Sequence, residues 1–366
     1  MGSVLVLGAY GLAGRAIVRR LLAATDAKVV ASGRRSDRLV EEFSGDSSGR
    51  LRTLALDATD STALTDACRE ADVVVNAVGP YDLHGAAIAR TVVGGRRHYI
   101  DCANEQVHFE HLRKLDAEAA DAGVLLVTGA GVAPGLSTLV AAHLLESGLP
   151  PTSVEIVYAQ LRHAYPDGGQ ASVMGGVLDA VHRPWAIHAG ERVEAKLGRS
   201  VREMELPAPF GRRRLLEVPT IDVPVLAARV ALHDARTWFY LGDQPPWLFG
   251  LIRLLDPTRR RWAYRLIERI VTRMTRAEYD HAVASGLGTD VYLGVTVGAA
   301  GVSRSAEVHL TDGASPTAVL PARIASDLLA GTVTESGLRT PIDLYRWRDL
   351  DDDFSACVTR VIVTDG

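Results

Sequence analysis

Lysine is nearly absent from this chain. Of its 40 basic residues only Lys28, Lys114 and Lys196 carry an amine, so a mechanism built on a catalytic amine has few candidates. No tyrosine is followed four residues later by lysine. The sequence also contains no G-x-S-x-G nucleophile elbow and no G-x-x-x-x-G-K phosphate loop. Cysteine is scarce: Cys68, Cys102 and Cys357 lie far apart, which excludes a disulfide framework and fits a reducing, cytoplasmic compartment. No run of 18 apolar residues occurs and no charged segment leads into an apolar core at the start, so neither a membrane span nor a secretory leader is expected. With a net charge of −4 and a pI near 6.3, no excess of positive charge marks a nucleic-acid partner. What remains is an ordinary globular composition, 47% hydrophobic over 366 residues, long enough for two domains with cores of their own.

The most informative stretch comes first. Val4–Leu7 is an apolar strand that runs into Gly8-Ala-Tyr-Gly11-Leu-Ala-Gly14 and then a helical segment. The G-x-x-G-x-x-G spacing in a strand–turn–helix context is a dinucleotide fingerprint. The first glycine permits the tight turn, the second admits backbone to a pyrophosphate, and the third lets helix and strand pack closely. Gly8, Tyr10, Gly11, Leu12 and Gly14 are therefore candidate cofactor contacts, with amides at the helix start facing the phosphates.

Strand and helix alternate up to about residue 130. Apolar runs at Ser3–Leu7, Lys28–Ser32, Leu51–Leu56, Asp72–Ala77, Arg97–Asp101 and Gly123–Thr128 read as strands buried on both faces. Helical stretches lie between them, the last at Gln106–Ala122, and Asp60 is an expected N-cap. The expected fold is α/β: an N-terminal Rossmann domain (1–133) with a doubly wound parallel sheet, a second α+β substrate and dimerisation domain (134–312), and a C-terminal segment (313–366). In the second domain, strands are expected at Ser153–Leu161, Leu215–Val225, Thr237–Leu241, Val291–Val297 and Ala306–Leu310, the last two in a second, antiparallel sheet, with helices at Leu136–Glu146, Val173–Val181 and Thr317–Leu329. The segment 245–274 alternates large apolar residues with arginines. It reads as a buried hairpin, a homodimer interface, or a helix lying on a membrane surface.

Strand ends carry the candidate chemistry. Ser32-Gly-Arg34-Arg35 closes the second strand with arginines where NAD-dependent folds place an acid, which favours NADP(H) over NAD(H), a solvated basic turn being the plainer alternative. Asp57 and Ala58 follow the third strand, where an acid meets the adenine amino group or merely caps the next helix. The fourth strand ends in Asn76-Ala77-Val78-Gly79-Pro80-Tyr81, whose small residues would pass close to the nicotinamide ribose. Tyr81 either reaches the cleft to give or accept a proton or packs with its hydroxyl on a loop. Asp101 ends the fifth strand, and with Tyr81 is the candidate to supply or orient the proton. Cys102, Arg162, His163 and Tyr165 are candidate substrate contacts. His98, Cys102, His108 and His111 lack paired ligand spacing, so no metal is expected, and His108 and His111 are expected on an exposed helix face.

Val75-Asn-Ala-Val-Gly-Pro-Tyr81, Gly85, and His98-Tyr-Ile-Asp101 with Glu105 together resemble the saccharopine dehydrogenase-like superfamily, in which a Gly-Pro-Tyr turn precedes a Tyr-x-Asp-x-x-Gly-Glu run. Asn104 replaces the glycine of that run. The turn ending Ala133-Pro-Gly135 resembles the family's link between cofactor and substrate domains. The resemblance implies a two-domain oxidoreductase whose C-terminal segment, with its helix, returns to the Rossmann domain. It also implies reduction of an imine or, as in trans-acting enoyl reductases, of an activated C=C; the motifs here are nearer the second group. Ala133 and Ser137 stand where the family often carries an acid, and no basic and aromatic cluster suited to two amino-acid carboxylates is evident.

Overall fold

The computed structural model describes residues 2–146, 152–161, 174–175, 178, 181–182, 184–195, 197–240, 242, 247–286, 288–299 and 302–365. These form two compact units, and each unit is assembled from separate stretches of chain. The first comprises 1–103, 108–135 and 314–345; the second comprises 104–107, 136–313 and 346–366.

The first unit is a seven-stranded sheet in which every neighbouring pair is parallel. Its strands are β1 (Ser3–Leu7), β2 (Lys28–Gly33), β3 (Leu51–Ala55), β4 (Val73–Asn76), β5 (His98–Asp101) and β6 (Leu125–Val127). Six of them lie in the order β6-β5-β4-β1-β2-β3, the doubly wound Rossmann order. The chain reverses direction across the sheet between β1 and β4, so the ends of these two strands form the topological switch point. β4 is buried at all four positions, whereas β3, at the sheet edge, is exposed or half-exposed throughout.

Helix α1 (Leu12–Ala24) buries Gly14, Ile17, Val18 and Leu21, an i, i+3, i+4, i+7 stripe. Each large apolar side chain of that stripe contributes about 1.5–3 kcal/mol of burial. Further along the chain come α2 (Ser36–Phe43), α3 (Ser61–Cys68), α4 (Tyr81–Gly94), α5 (from Gln106, with 108–113 in this unit) and α6 (Asp116–Ala122). Asp60 caps α3 as expected, its Oδ1 accepting the N–H groups of Thr62 and Ala63. The single helix expected over Gln106–Ala122 is two helices, because the chain turns at Lys114–Leu115 before α6 begins.

The expected C-terminal segment divides between the units. The helix Val319–Ala330 packs on α1, β4 and β5, so a C-terminal helix does return to the Rossmann sheet. The next strand, β15 (Gly337–Arg339), pairs with β6 and becomes the seventh strand of that sheet. From Arg346 onward the chain belongs to the second unit, where β16 (Val358–Asp365) pairs with β14 (Val302–Leu310).

The second unit holds a nine-stranded sheet that is mixed rather than purely antiparallel. β7 (Ser153–Gln160) runs parallel to β12 (Asp234–Phe239), while β13 (Val291–Ala299) pairs antiparallel with both β7 and β14. The expected strand over Leu215–Val225 is half strand and half helix. β11 (Gly211–Glu217) ends before the helix Asp222–Ala227, where Pro224 occupies the helix's third residue and removes a backbone donor that a strand would need. Helix α7 (Leu136–Leu145) is buried along most of its length.

Candidate active site

The glycine turn is built by close approach. Gly8 has φ +73°, and a Cβ on it would stand 2.9 Å from the Ala77 carbonyl oxygen. The end of β1 and the loop after β4 are therefore in backbone contact at the switch point. A Cβ on Gly14 would lie 2.2 Å from the Gly8 oxygen, so only glycine lets α1 start this close to the turn. Gly11 is the N-cap of α1 and donates its own N–H to Gly8, and no side chain caps the helix's first turn. The first-turn amides thus have no side-chain acceptor and make a ready anion site. Tyr10 and Leu12 are half-buried beside it.

At the end of β2, Ser32 is buried and its hydroxyl donates to the Val6 carbonyl at 3.0 Å, so its side chain braces β1 against β2. Gly33, not singled out from the sequence, carries the ring of Tyr10 close above it: a Cβ there would come within 2.4 Å of that ring. Arg34 and Arg35 are exposed, and neither guanidinium makes a hydrogen bond or salt bridge among the described residues; the Arg35 carbonyl accepts the Leu39 N–H. Asp57 accepts from the hydroxyl and N–H of Thr59 at 2.7 and 3.0 Å. Those bonds, with the nearby charges of Arg34 and His84, hold its carboxyl below the usual range against a smaller opposing effect of burial. His84, on the first turn of α4, is held below the ordinary imidazole value by burial and then by Arg34, with Asp57 opposing. Arg34, Asp57 and His84 therefore share one electrostatic neighbourhood at the carboxyl ends of β2, β3 and β4, a grouping the sequence did not disclose for His84. Ala58 is corrected: it packs into the sheet's apolar core with Leu56 and Leu64.

The loop after β4 turns one expected contact inward. Asn76 is fully buried. Its Oδ1 accepts the Val78 N–H, its Nδ2 donates to the Tyr99 hydroxyl at 2.9 Å, and its carbonyl accepts the Tyr81 hydroxyl at 3.0 Å. Ala77, Val78 and Gly79 are half-buried, and Pro80 is buried as the N-cap of α4. Asn76 is thus a brace that fixes Tyr81 and the 77–79 backbone, not a side chain offered to a ligand.

Asp101 is fully buried at the end of β5. It accepts from the Thr128 hydroxyl at 2.7 Å, the Ala103 N–H at 3.1 Å, the Gly129 N–H at 3.3 Å and the His108 Nε2 at 2.6 Å. Burial pushes its carboxyl up, but the charge and hydrogen bond of His108, with Thr128 and the Ala103 N–H, outweigh it and hold the group below the usual carboxylate range. A carboxylate held this way stays ionised near neutrality and orients its neighbours rather than donating a proton. His108 corrects the exposed-face expectation: it is fully buried, its ring sits against Gly85 so closely that a Cβ there would be 2.5 Å from it, and its centroid lies 5.5 Å from that of Tyr81. A seven-residue spacing from a strand-end acid was the available signal. His111 is half-buried. Cys102 donates weakly to the Ala130 carbonyl, and burial, reinforced by the charge of Asp101, keeps its thiol protonated. Arg162, His163 and Tyr165 lie outside the described residues. Among the described residues no group of three His, Cys, Asp or Glu side chains is placed to hold a metal ion.

Residues 4–127 match the saccharopine dehydrogenase NADP binding domain. The matched stretch coincides with the parallel sheet β1–β6, glycine turn included. A lipid droplet localized protein of Caenorhabditis elegans is 28% identical over 138 residues, covering 35% of this chain and 32% of that protein. A trans-acting enoyl reductase of Mycobacterium tuberculosis is 26% identical over 228 residues, covering 57% of this chain and 54% of its own length. The matches thus span about a third and about half of these curated relatives. Apo saccharopine dehydrogenase (L-Glu forming) from Saccharomyces cerevisiae superimposes over 100% of both chains with a TM-score of 0.66 at 15% identity, a likeness of fold.

Proposed function

We propose that the protein is an NADP(H)-dependent reductase that passes hydride to an activated C=C, or to an imine, of an apolar biosynthetic intermediate. The observation that carries this reading is the uncapped start of α1 together with the exposed guanidinium groups of Arg34 and Arg35, which make no salt bridge among the described residues, a double anion site at the carboxyl end of the sheet. The first-turn amides after Gly11 would hold the diphosphate, and the guanidinium of Arg34 or Arg35 would clasp the 2′-phosphate. The nicotinamide ring, when bound, supplies the hydride. The loop 77–79, held by Asn76, would lie along its ribose.

Tyr81 is the proton-handling group in this reading. Its hydroxyl is tied to the Asn76 carbonyl, which leaves the oxygen oriented and its proton exchangeable. Asp101 acts behind it, as an ionised anchor for His108 against which the Tyr81 ring rests. The name of the enoyl reductase relative, together with the missing cluster for two amino-acid carboxylates, favours a C=C over a saccharopine-type imine. A homodimer in a reducing, cytoplasmic compartment goes with this reading, supported by three free cysteines of which Cys68 and Cys357 are buried. Calorimetric titration of the purified protein with NADPH and with NADH tests it. Tight NADPH binding that Gly14→Val abolishes is expected; absence of heat from both coenzymes overturns the enzymatic reading, and a preference for NADH overturns the 2′-phosphate assignment alone.

A further inference from the structure

The second unit carries a helical pair whose outward face is both apolar and positive. One helix spans Trp247–Leu255 and the other Arg261–Ala284, joined through Asp256, which has φ +44° and accepts from the Thr258 hydroxyl. Phe249, Ile252, Ala263, Ile267 and Val271 are buried and seat the pair on the unit. Among the large apolar side chains that remain outside are Leu251, Leu254, Trp262, Leu266 and Ile270, with Leu254 76% and Trp262 57% exposed, and Val283 near the end of the second helix. Trp262, Leu266 and Ile270 recur at i, i+4 and i+8, so they form a strip covering about 80° of the helix circumference. Arg265, Arg269, Arg273 and Arg276 form the strip beside it; all four are exposed and have no hydrogen bond or ion pair among the described residues. Between residues 247 and 286 there are eight arginines against four acids, a net charge of +4 within a chain whose total is −4.

We propose that this face docks on an anionic phospholipid surface, with Leu254, Trp262, Leu266 and Ile270 entering the acyl boundary and the arginine strip meeting lipid phosphates. An apolar strip flanked by arginines is the pattern of a helix lying in the interface plane, and guanidinium groups pair with phosphate bidentately. No helix among the described residues is long and apolar enough to cross a membrane, so the chemistry is surface docking. A second copy of the chain fits less well. Twofold pairing sets the same patch against itself, so the +4 segment would face another +4 segment with no counter-charge.

Co-sedimentation of the full chain with vesicles tests the proposal. Binding is expected to vesicles of phosphatidylcholine and phosphatidylserine in equal parts, weakened by salt, and to be absent on phosphatidylcholine alone. The Leu254→Ser, Trp262→Ser double variant should lose at least about tenfold in partitioning, and the Arg269→Gln, Arg273→Gln variant roughly tenfold or more. Both should keep the wild-type circular dichroism and NADPH affinity, since these side chains are exposed on the second unit and none is a candidate cofactor residue. No vesicle binding by the wild type overturns the proposal. So does equal binding to both vesicle types, or a concentration-dependent dimer that the Leu254→Ser, Trp262→Ser variant abolishes while vesicles are ignored.

Discussion

Asp101 in the first unit and Asp222 in the second are both buried, and the two carboxyls are treated in opposite ways. Asp101 in the first unit receives two backbone N–H groups, a hydroxyl and an imidazole, and is held below the carboxylate range. Asp222 in the second unit receives only hydroxyls, from Ser137 and Thr220, each at 2.5 Å. Burial, opposed only by these bonds and one backbone contact, pushes its carboxyl up to about 6. Burial is the same in both; the difference lies in the number and kind of groups that surround the carboxyl. The exposed charge follows a parallel contrast. The first unit leaves Arg34 and Arg35 beside an uncapped helix start, a compact anion site, whereas the second spreads its unpaired arginines along an exposed helix.

Removing the imidazole from the first site is the strongest way to break the comparison. His108→Ala takes a hydrogen-bond partner from buried Asp101 and opens a cavity against Gly85 and Tyr81, and should cost about 3–5 kcal/mol, measured by urea denaturation at neutral pH. Asp222 should reveal itself through pH. The folded chain holds the Asp222 proton more tightly than the unfolded chain, whose carboxyl titrates at 3.8. The stability this gives is fully present below 3.8 and is lost as pH rises through about 6, a total of about 3 kcal/mol. Asp222→Asn should remove that part of the slope in denaturation midpoints followed across this range. Asp101 acts with the opposite sign: its contribution is present above 3.8 and is lost as pH falls through its lowered folded value. The smallest effect belongs to the outward arginines. Arg34→Ala should raise the Kd for NADPH by about tenfold while leaving NADH binding and stability nearly unchanged, a difference calorimetry resolves.

The first unit was legible because its strands are buried on both faces and its turn needs glycine at fixed places. Gly8, Gly11 and Gly14 announce themselves by spacing, and Asp60 by preceding a helical run. Asp101 was visible as a strand-end acid, but His108 was not, since nothing local distinguishes a histidine turned into the sheet from one turned outward. The inward turn of Ser32 and Asn76 was hidden for a related reason: a strand alternates its faces, and a polar residue at the strand end can look inward when a neighbouring backbone carbonyl or hydroxyl awaits it. In the second unit the period-two pattern marked β7 and β13 but could not show that β12 runs parallel to β7, because direction is set by long-range pairing. The Val358–Asp365 run alternates weakly and is mostly exposed, so its place beside β14 was hidden until the sheet was assembled.

The passage of the chain from one unit to the other and back has a consequence for synthesis and for protein engineering. A fragment stopping at Gly135 would lack β15 and the helix Val319–Ala330, leaving the backbone of β6 open along one side of the sheet. A ribosome must therefore deliver some two hundred further residues before the nucleotide-binding sheet can acquire its last strand. Expressing either half alone needs a circularly permuted or spliced design rather than a simple cut.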